Sequence, residues 1–106
     1  MSFNTKVHTD DGVVTIRLTG ELDSRSAPEL NEVIVEAIAG EVRRLVLLAE
    51  DLTYMSSAGL RCLVFAHQKL GRDADIVLVG TRPEVAETIR LVGLDRAVMM
   101  QDPAGA

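Results

Sequence analysis

Cysteine occurs once in these 106 residues, so no internal disulfide can form. No apolar run exceeds about five residues, far short of the ~20 needed to span a bilayer. Lysine and arginine never gather beyond the pair Arg43-Arg44, so no basic stripe is available to track a phosphate backbone. A formal net charge of -5 and a pI near 4.9 point the same way, against nucleic acid as a partner. The start of the chain, where Lys6 and His8 flank a polar segment, does not have the pattern of a signal peptide. The expectation is a cytoplasmic protein with no membrane association. His8 and His67 have no neighbours at metal-ligand spacing, and no Gly-x-x-x-x-Gly-Lys loop is present, so neither a metal nor another cofactor is expected. Repeats, linkers and low-complexity tracts are also missing, which predicts a single domain over 1–106, with 101–106 a loose tail.

What is present suits one packed core. Hydrophobic residues make up 47% of the chain and charged residues 25%, an ordinary balance for a folded domain. Val13 to Gly20 alternates, with Val14, Ile16 and Leu18 on one side, and reads as a strand with one buried face. Phe3 to His8 is a second strand candidate, joined to it through the turn Thr9-Asp10-Asp11-Gly12. Ser26-Ala27-Pro28-Glu29 fits a capping box, and Leu30, Val33, Ile34, Ala37 and Ile38 follow at helical spacing up to Gly40. Leu45 to Ala49 and Asp75 to Val79 lack alternation and read as strands buried on both faces. Helices are predicted from Ala58 to Gly71 and, after a second capping box at Thr81-Arg82-Pro83-Glu84, to about Val92. Val98-Met99-Met100 closes the series as a short strand. The order β-β-α-β-α-β-α-β implies an α/β fold with a mixed sheet of four or five strands and right-handed crossovers.

Tyr54-Met55-Ser56-Ser57-Ala58-Gly59-Leu60-Arg61 lies between the strand at Leu45–Ala49 and the second helix. A serine there falls at a helix N-terminus, where unpaired N–H groups and the positive end of the dipole favour an anion. A phosphate on that hydroxyl would be held well and would recharge the surface.

Three blocks resemble the STAS domain family, and within it the bacterial anti-sigma factor antagonists. They are Leu18-Thr19-Gly20-Glu21-Leu22-Asp23 with Ala27-Pro28-Glu29-Leu30, then Tyr54 to Leu60, then Gly80 to Val85 with Val92-Gly93-Leu94. Together they cover nearly the whole chain in the family's order. The resemblance implies a STAS-like fold and a partner-switching role in transcription. The unmodified antagonist binds an anti-sigma factor that is itself a serine kinase; phosphorylation of a loop serine releases it, and a PP2C-type phosphatase resets it. ATP belongs to the kinase. Carried onto this chain, the phosphoacceptor is Ser57, and Asp23, Met55, Ser56, Ala58, Gly59 and Leu60 form the loop and its partner-binding surround. The chain departs from the family at Ser56 and Leu48, where an acidic residue is common, and at Ala58, where Ser or Thr is common. A monomer that pairs with its partners is expected. The other role the resemblance allows is a constitutive binding module of a lipid-transport or sensory complex.

Plainer roles stand beside these. Ser57 is a good N-cap residue, Asp23 an Asx-turn residue, and Gly59 a small residue that packs on the sheet or lets a partner approach. Glu50-Asp51 reads as a surface turn, Asp10-Asp11 as a solvated one, and Cys62 as a small buried hydrophobe. The second helix is apolar nearly all round, which indicates burial against the sheet ahead of a partner groove. Met55 stands where a serine hydrolase elbow needs its first glycine, so no enzyme is expected.

Overall fold

The computed structural model of the chain describes residues 3–101, so the expected tail lies largely outside the described residues. β1 (Phe3–Asp10) and β2 (Val13–Leu22) form an antiparallel hairpin. Asp11 (φ 48°) and Gly12 (φ 81°) join them. Two successive positive φ values make the type I′ turn whose twist matches the flanking strands. After α1 (Ala27–Ala37) come β3 (Arg44–Met55), α2 (Ser57–Leu70), β4 (Asp75–Val79), α3 (Pro83–Leu91) and β5 (Met99–Gln101). The element order is the one expected from the sequence.

Sheet order follows chain order, β1-β2-β3-β4-β5, and β2 to β5 are mutually parallel. Each crossover therefore steps in the same direction. Right-handed connections then place α1, α2 and α3 on one face of the sheet. The core lies between that face and the helices: Val14, Ile16 and Leu18 of β2, Leu45 and Leu47 of β3, and Leu78 of β4 meet Leu30, Ile34, Leu63 and Ile89. Each such side chain, fully buried, contributes about 1.5–3 kcal/mol by leaving water.

β4 is buried on both faces at its centre, Ile76-Val77-Leu78, as expected, whereas the one-sided winding corrects the same expectation for β3. Leu45, Leu47 and Ala49 point into the core, whereas Val46 and Leu48 are half-buried on the other side. Val77 is only 2% exposed yet stands outside the core cluster. It lies between Val46 and Met99, its register partners on the two neighbouring strands.

β3 also runs past the expected end. Glu50-Asp51 is not a turn but part of the strand, because β3 stays paired with β2 up to Leu22–Met55 through two register shifts. Extra residues at those bulges bend the strand and let pairing continue. Asp51 reaches Arg17 across the strands at 3.7 Å, and the Thr53 hydroxyl donates to the Gly20 carbonyl at 3.2 Å. β4 accompanies β3 only as far as Leu48–Val79. The part of β3 beyond Leu48 is thus an arm that carries the following loop beyond the sheet's centre.

Neither expected capping box forms. Ser26 sits in the right-handed helical region and makes no cap bond, because the helical turn begins earlier: Ala27 N–H already donates to the Asp23 carbonyl at 2.9 Å. Ahead of α3 the N-cap is Arg82, whose side chain donates to the Glu50 carbonyl instead, and the Thr81 hydroxyl oxygen is buried without a partner.

Candidate functional site

β2 and β3 end side by side, with Leu22 opposite Met55. The next N–H, that of Ser56, donates to the Leu22 carbonyl at 2.8 Å. This bond ties the start of α2 to the residue before Asp23. Two segments far apart in sequence, Leu22-Asp23 and Met55-Ser56-Ser57, thereby meet at the carboxyl ends of neighbouring parallel strands, a common position for functional loops in α/β folds.

The two serines divide the work. Ser56 is the N-cap of α2: its backbone is extended (φ -86°, ψ 175°) and its Oγ accepts from Gly59 N–H at 3.4 Å. Ser57 is the first helical residue and is exposed. Among the described residues, no hydrogen bond uses its hydroxyl. The capping role therefore falls on Ser56, and Ser57 is left with an accessible, uncommitted oxygen beside the helix's first N–H groups. Arg61, also exposed, stands four residues on, on the same side of α2.

Asp23 holds the turn between β2 and α1. Its Oδ1 accepts from Arg25 N–H at 2.9 Å, Ser26 N–H at 3.1 Å and lies 3.1 Å from the Ser26 hydroxyl. That hydroxyl accepts from Asp23 N–H and donates to the Glu21 carbonyl, both at 2.9 Å. The N–H groups of Ser26 and Arg25 hold the Asp23 carboxyl below the usual carboxylate range, helped by the Ser26 hydroxyl and the nearby Arg25 charge. The Asx-turn geometry is thus observed, and it fixes a negative charge next to the loop.

Met55, Gly59 and Leu60 are buried and shape the site from beneath. A Cβ on Gly59 would lie 2.8 Å from Leu22 Cγ and Cδ2 and 3.0 Å from Met55 Cγ. Gly59 therefore admits the sheet rather than an incoming partner. Ala58 is partly buried at the rim of a shallow groove with Ser24, Pro28, Asn31, Arg61 and Phe65. Cys62 is buried behind it; its thiol donates to the Ala27 carbonyl at 3.3 Å, and burial pushes its pKa up. α2 buries Leu60, Cys62, Leu63 and Ala66 and exposes Val64, so its apolar surround is one-sided in practice.

Sequence reasoning passed over Tyr54. It is the sole tyrosine, half-exposed on the arm of β3, beside Glu21 in register. An exposed aromatic ring three residues before Ser57 was the signal, and it was absorbed into the loop motif.

The arrangement has no nucleophile–base pair, and among the described residues no group of His, Cys, Asp and Glu is placed to hold a metal. Among the described residues, no helix is long and apolar enough to cross a membrane. What the site offers is an exposed hydroxyl at a helix N-terminus, a fixed carboxylate and an exposed aromatic on one end of the sheet.

Comparison with known proteins fits that picture. The STAS domain profile matches residues 4–103. The anti-sigma-F factor antagonist RsfB of Mycobacterium tuberculosis is 28% identical over 95 residues, 90% of this chain and 78% of that protein. The crystal structure of an anti-sigma factor antagonist from Mycobacterium paratuberculosis superposes with a TM-score of 0.86 at 30% identity, covering 94% of this chain and 86% of that one. The Bacillus protein SpoIIAA shares the fold at 24% identity. Its unphosphorylated form gives a TM-score of 0.83 over 96% of this chain and 90% of that chain, and its phosphorylated form 0.75 over 98% and 93%.

Proposed function

The chain belongs to the STAS domain family, a family of binding proteins rather than enzymes, and on that premise we propose that it is an anti-sigma factor antagonist working by partner switching. Unmodified, it docks on an anti-sigma factor that carries ATP and serine kinase activity. Transfer of phosphate to Ser57 releases it, and a PP2C-type phosphatase restores it. The chain works in the cytoplasm. One observation carries the reading: Ser56 takes the cap, which leaves the Ser57 hydroxyl exposed, without a hydrogen bond among the described residues, at the N-terminus of α2.

The energetics support release by charge. Phosphorylation adds roughly -1.5 to -2 charges and three acceptor oxygens. The helix N-terminus favours that charge by up to about 1 kcal/mol, so the modified domain stays folded. A docked partner that faces the loop with a carboxylate meets repulsion of about 3 kcal/mol per pair of like charges ~5 Å apart at an effective dielectric of ~20. Loss of binding by ~1,000-fold needs about 4 kcal/mol, which two added charges supply.

Two substitutions test this. Ser57→Ala should bind the anti-sigma partner about as well as wild type and stay bound when ATP is added. Ser57→Glu should bind at least ~30-fold more weakly, the equivalent of about 2 kcal/mol. Mass spectrometry after incubation with the captured kinase and ATP should find the phosphate on Ser57. Equal affinities of the two variants, or a phosphate on Ser56 alone, would reject the reading.

A further inference from the structure

The helices leave one face of the sheet uncovered, and its composition differs from the rest of the surface. Along β3 that face reads Arg44, Val46, Leu48, Asp51, and along β4 it reads Asp75, Val77, Val79, residues directly opposite in register sharing a side. Val46, Leu48 and Val79, each half-buried, make an apolar strip across the middle of the sheet, with Val77 enclosed among them. Met99 of β5, 42% exposed, extends the strip to the edge. None of these residues belongs to the core cluster or to the hydrophobic residues packed against it.

An ion pair closes each end of the strip. Arg44–Asp75 at 3.4 Å lies at the amino ends of the strands, and Arg17–Asp51 at 3.7 Å lies towards the carboxyl ends. Across β1 to β4, from the amino ends of the parallel strands up to the Thr19–Asp51 pair, the same face carries Lys6, Arg17 and Arg44 against Asp10, Asp51 and Asp75, in balance, with Glu21 beyond that pair. A chain of net charge -5 thus has one face that is neutral, apolar at its centre and of mixed sign at both ends.

We infer that this face binds a second copy of the chain, sheet against sheet, in a reversible two-fold dimer. A two-fold interface sets the same patch against itself, so the patch must complement its own charges. Here it does. A rotation that makes the facing strands antiparallel lays each strand over its own copy with the ends exchanged, which brings Asp51 of each copy over Arg44 of the other, with the two apolar strips in contact. A partner of strong single-sign charge gains nothing from a neutral face. Five strands ~4.8 Å apart and about five residues of ~3.3 Å each give a patch of roughly 400 Å² per copy. Interfaces of that size fall in the weak class, so monomer and dimer exchange, and the monomer engages other partners from the opposite, loop-bearing end.

Sedimentation equilibrium of the full chain from about 10 to 500 µM, the range in which weak interfaces associate, reads this directly. Wild type should shift from monomer to dimer across the range. Met99→Glu should remain monomeric with an unchanged melting temperature. Leu91→Glu, on an equally apolar exposed site at the end of α3 behind the sheet, should dimerise as wild type does. A methyl NMR dilution series on wild type gives a second reading that needs no variant: the shifts should be confined to Val46, Leu48, Val77, Val79 and Met99. A monomer throughout, dimerisation lost in Leu91→Glu but kept in Met99→Glu, or methyls that move only when another protein is added would each overturn the dimer. None of these results bears on Ser57 phosphorylation, which is read with the kinase and ATP.

Discussion

Ser56 and Ser57 are chemically the same and adjacent, and their neighbourhood gives them different tasks. The Ser56 N–H is fixed by the Leu22 carbonyl, which sets its backbone extended and turns its hydroxyl towards Gly59. A sequence presents both as cap candidates, because the choice depends on where β3 ends relative to β2. Asp23 poses the same difficulty. The Ser26-x-x-Glu29 spacing matched a capping box, yet Asp23 caps the first turn because β2 stops at Leu22 and the chain turns at once. The Asp23 carboxyl has a lowered pKa in the folded protein, so its contribution to stability is complete above the unfolded value of about 3.9 and disappears as pH falls through the lower folded value. The melting temperature of wild type should therefore exceed that of Asp23→Asn at neutral pH, and the gap should close on acidification through that window. A gap that stays constant from pH 7 to pH 2.5 would show that the charge of Asp23 is not coupled to folding.

At the level of elements, α2 shows how packing overrules propensity. Alanine is the better helix former than glycine by about 1 kcal/mol. At position 59 that preference meets Leu22 Cγ at 2.8 Å, a contact with a buried branch point rather than a flexible tip. Gly59→Ala should consequently destabilise the fold by about 1–3 kcal/mol, the usual cost of overpacking, and chemical denaturation measures it. An increase in stability would mean that Leu22 and Met55 yield freely. The helices were readable from their spacing almost to the residue: Ala58–Gly71 was expected and Ser57–Leu70 is observed. β3 was not. Its period-two pattern breaks twice at the bulges, and the acidic pair Glu50-Asp51 imitates a turn, whereas Asp51 is kept in the strand by pairing with Arg17.

The whole molecule was legible in its order of elements and illegible in its sidedness. An apolar run such as Leu45–Ala49 reads the same whether one face is covered or both. Coverage is decided by the direction of each crossover, which no local pattern encodes. The same architecture bounds the effect of phosphorylation. Ser57 stands at one end of the sheet, outside the core, and its loop is pinned to Leu22 by a backbone bond. Amide shifts in the phosphorylated protein should be limited to Leu22–Ser26 and Ser56–Arg61, with β4, α3 and β5 unmoved. Changes spread across those distant elements would point to a refolding switch instead of a local electrostatic one.

Because each strand is laid beside its immediate predecessor, the fold can grow by accretion as the polypeptide leaves the ribosome. The hairpin offers an edge, and every later β-α unit occupies the edge left by the one before. No gap must be held open for a segment not yet made. A nascent chain halted after α2 already possesses its signalling tip, with β4, α3 and β5 still to broaden the base.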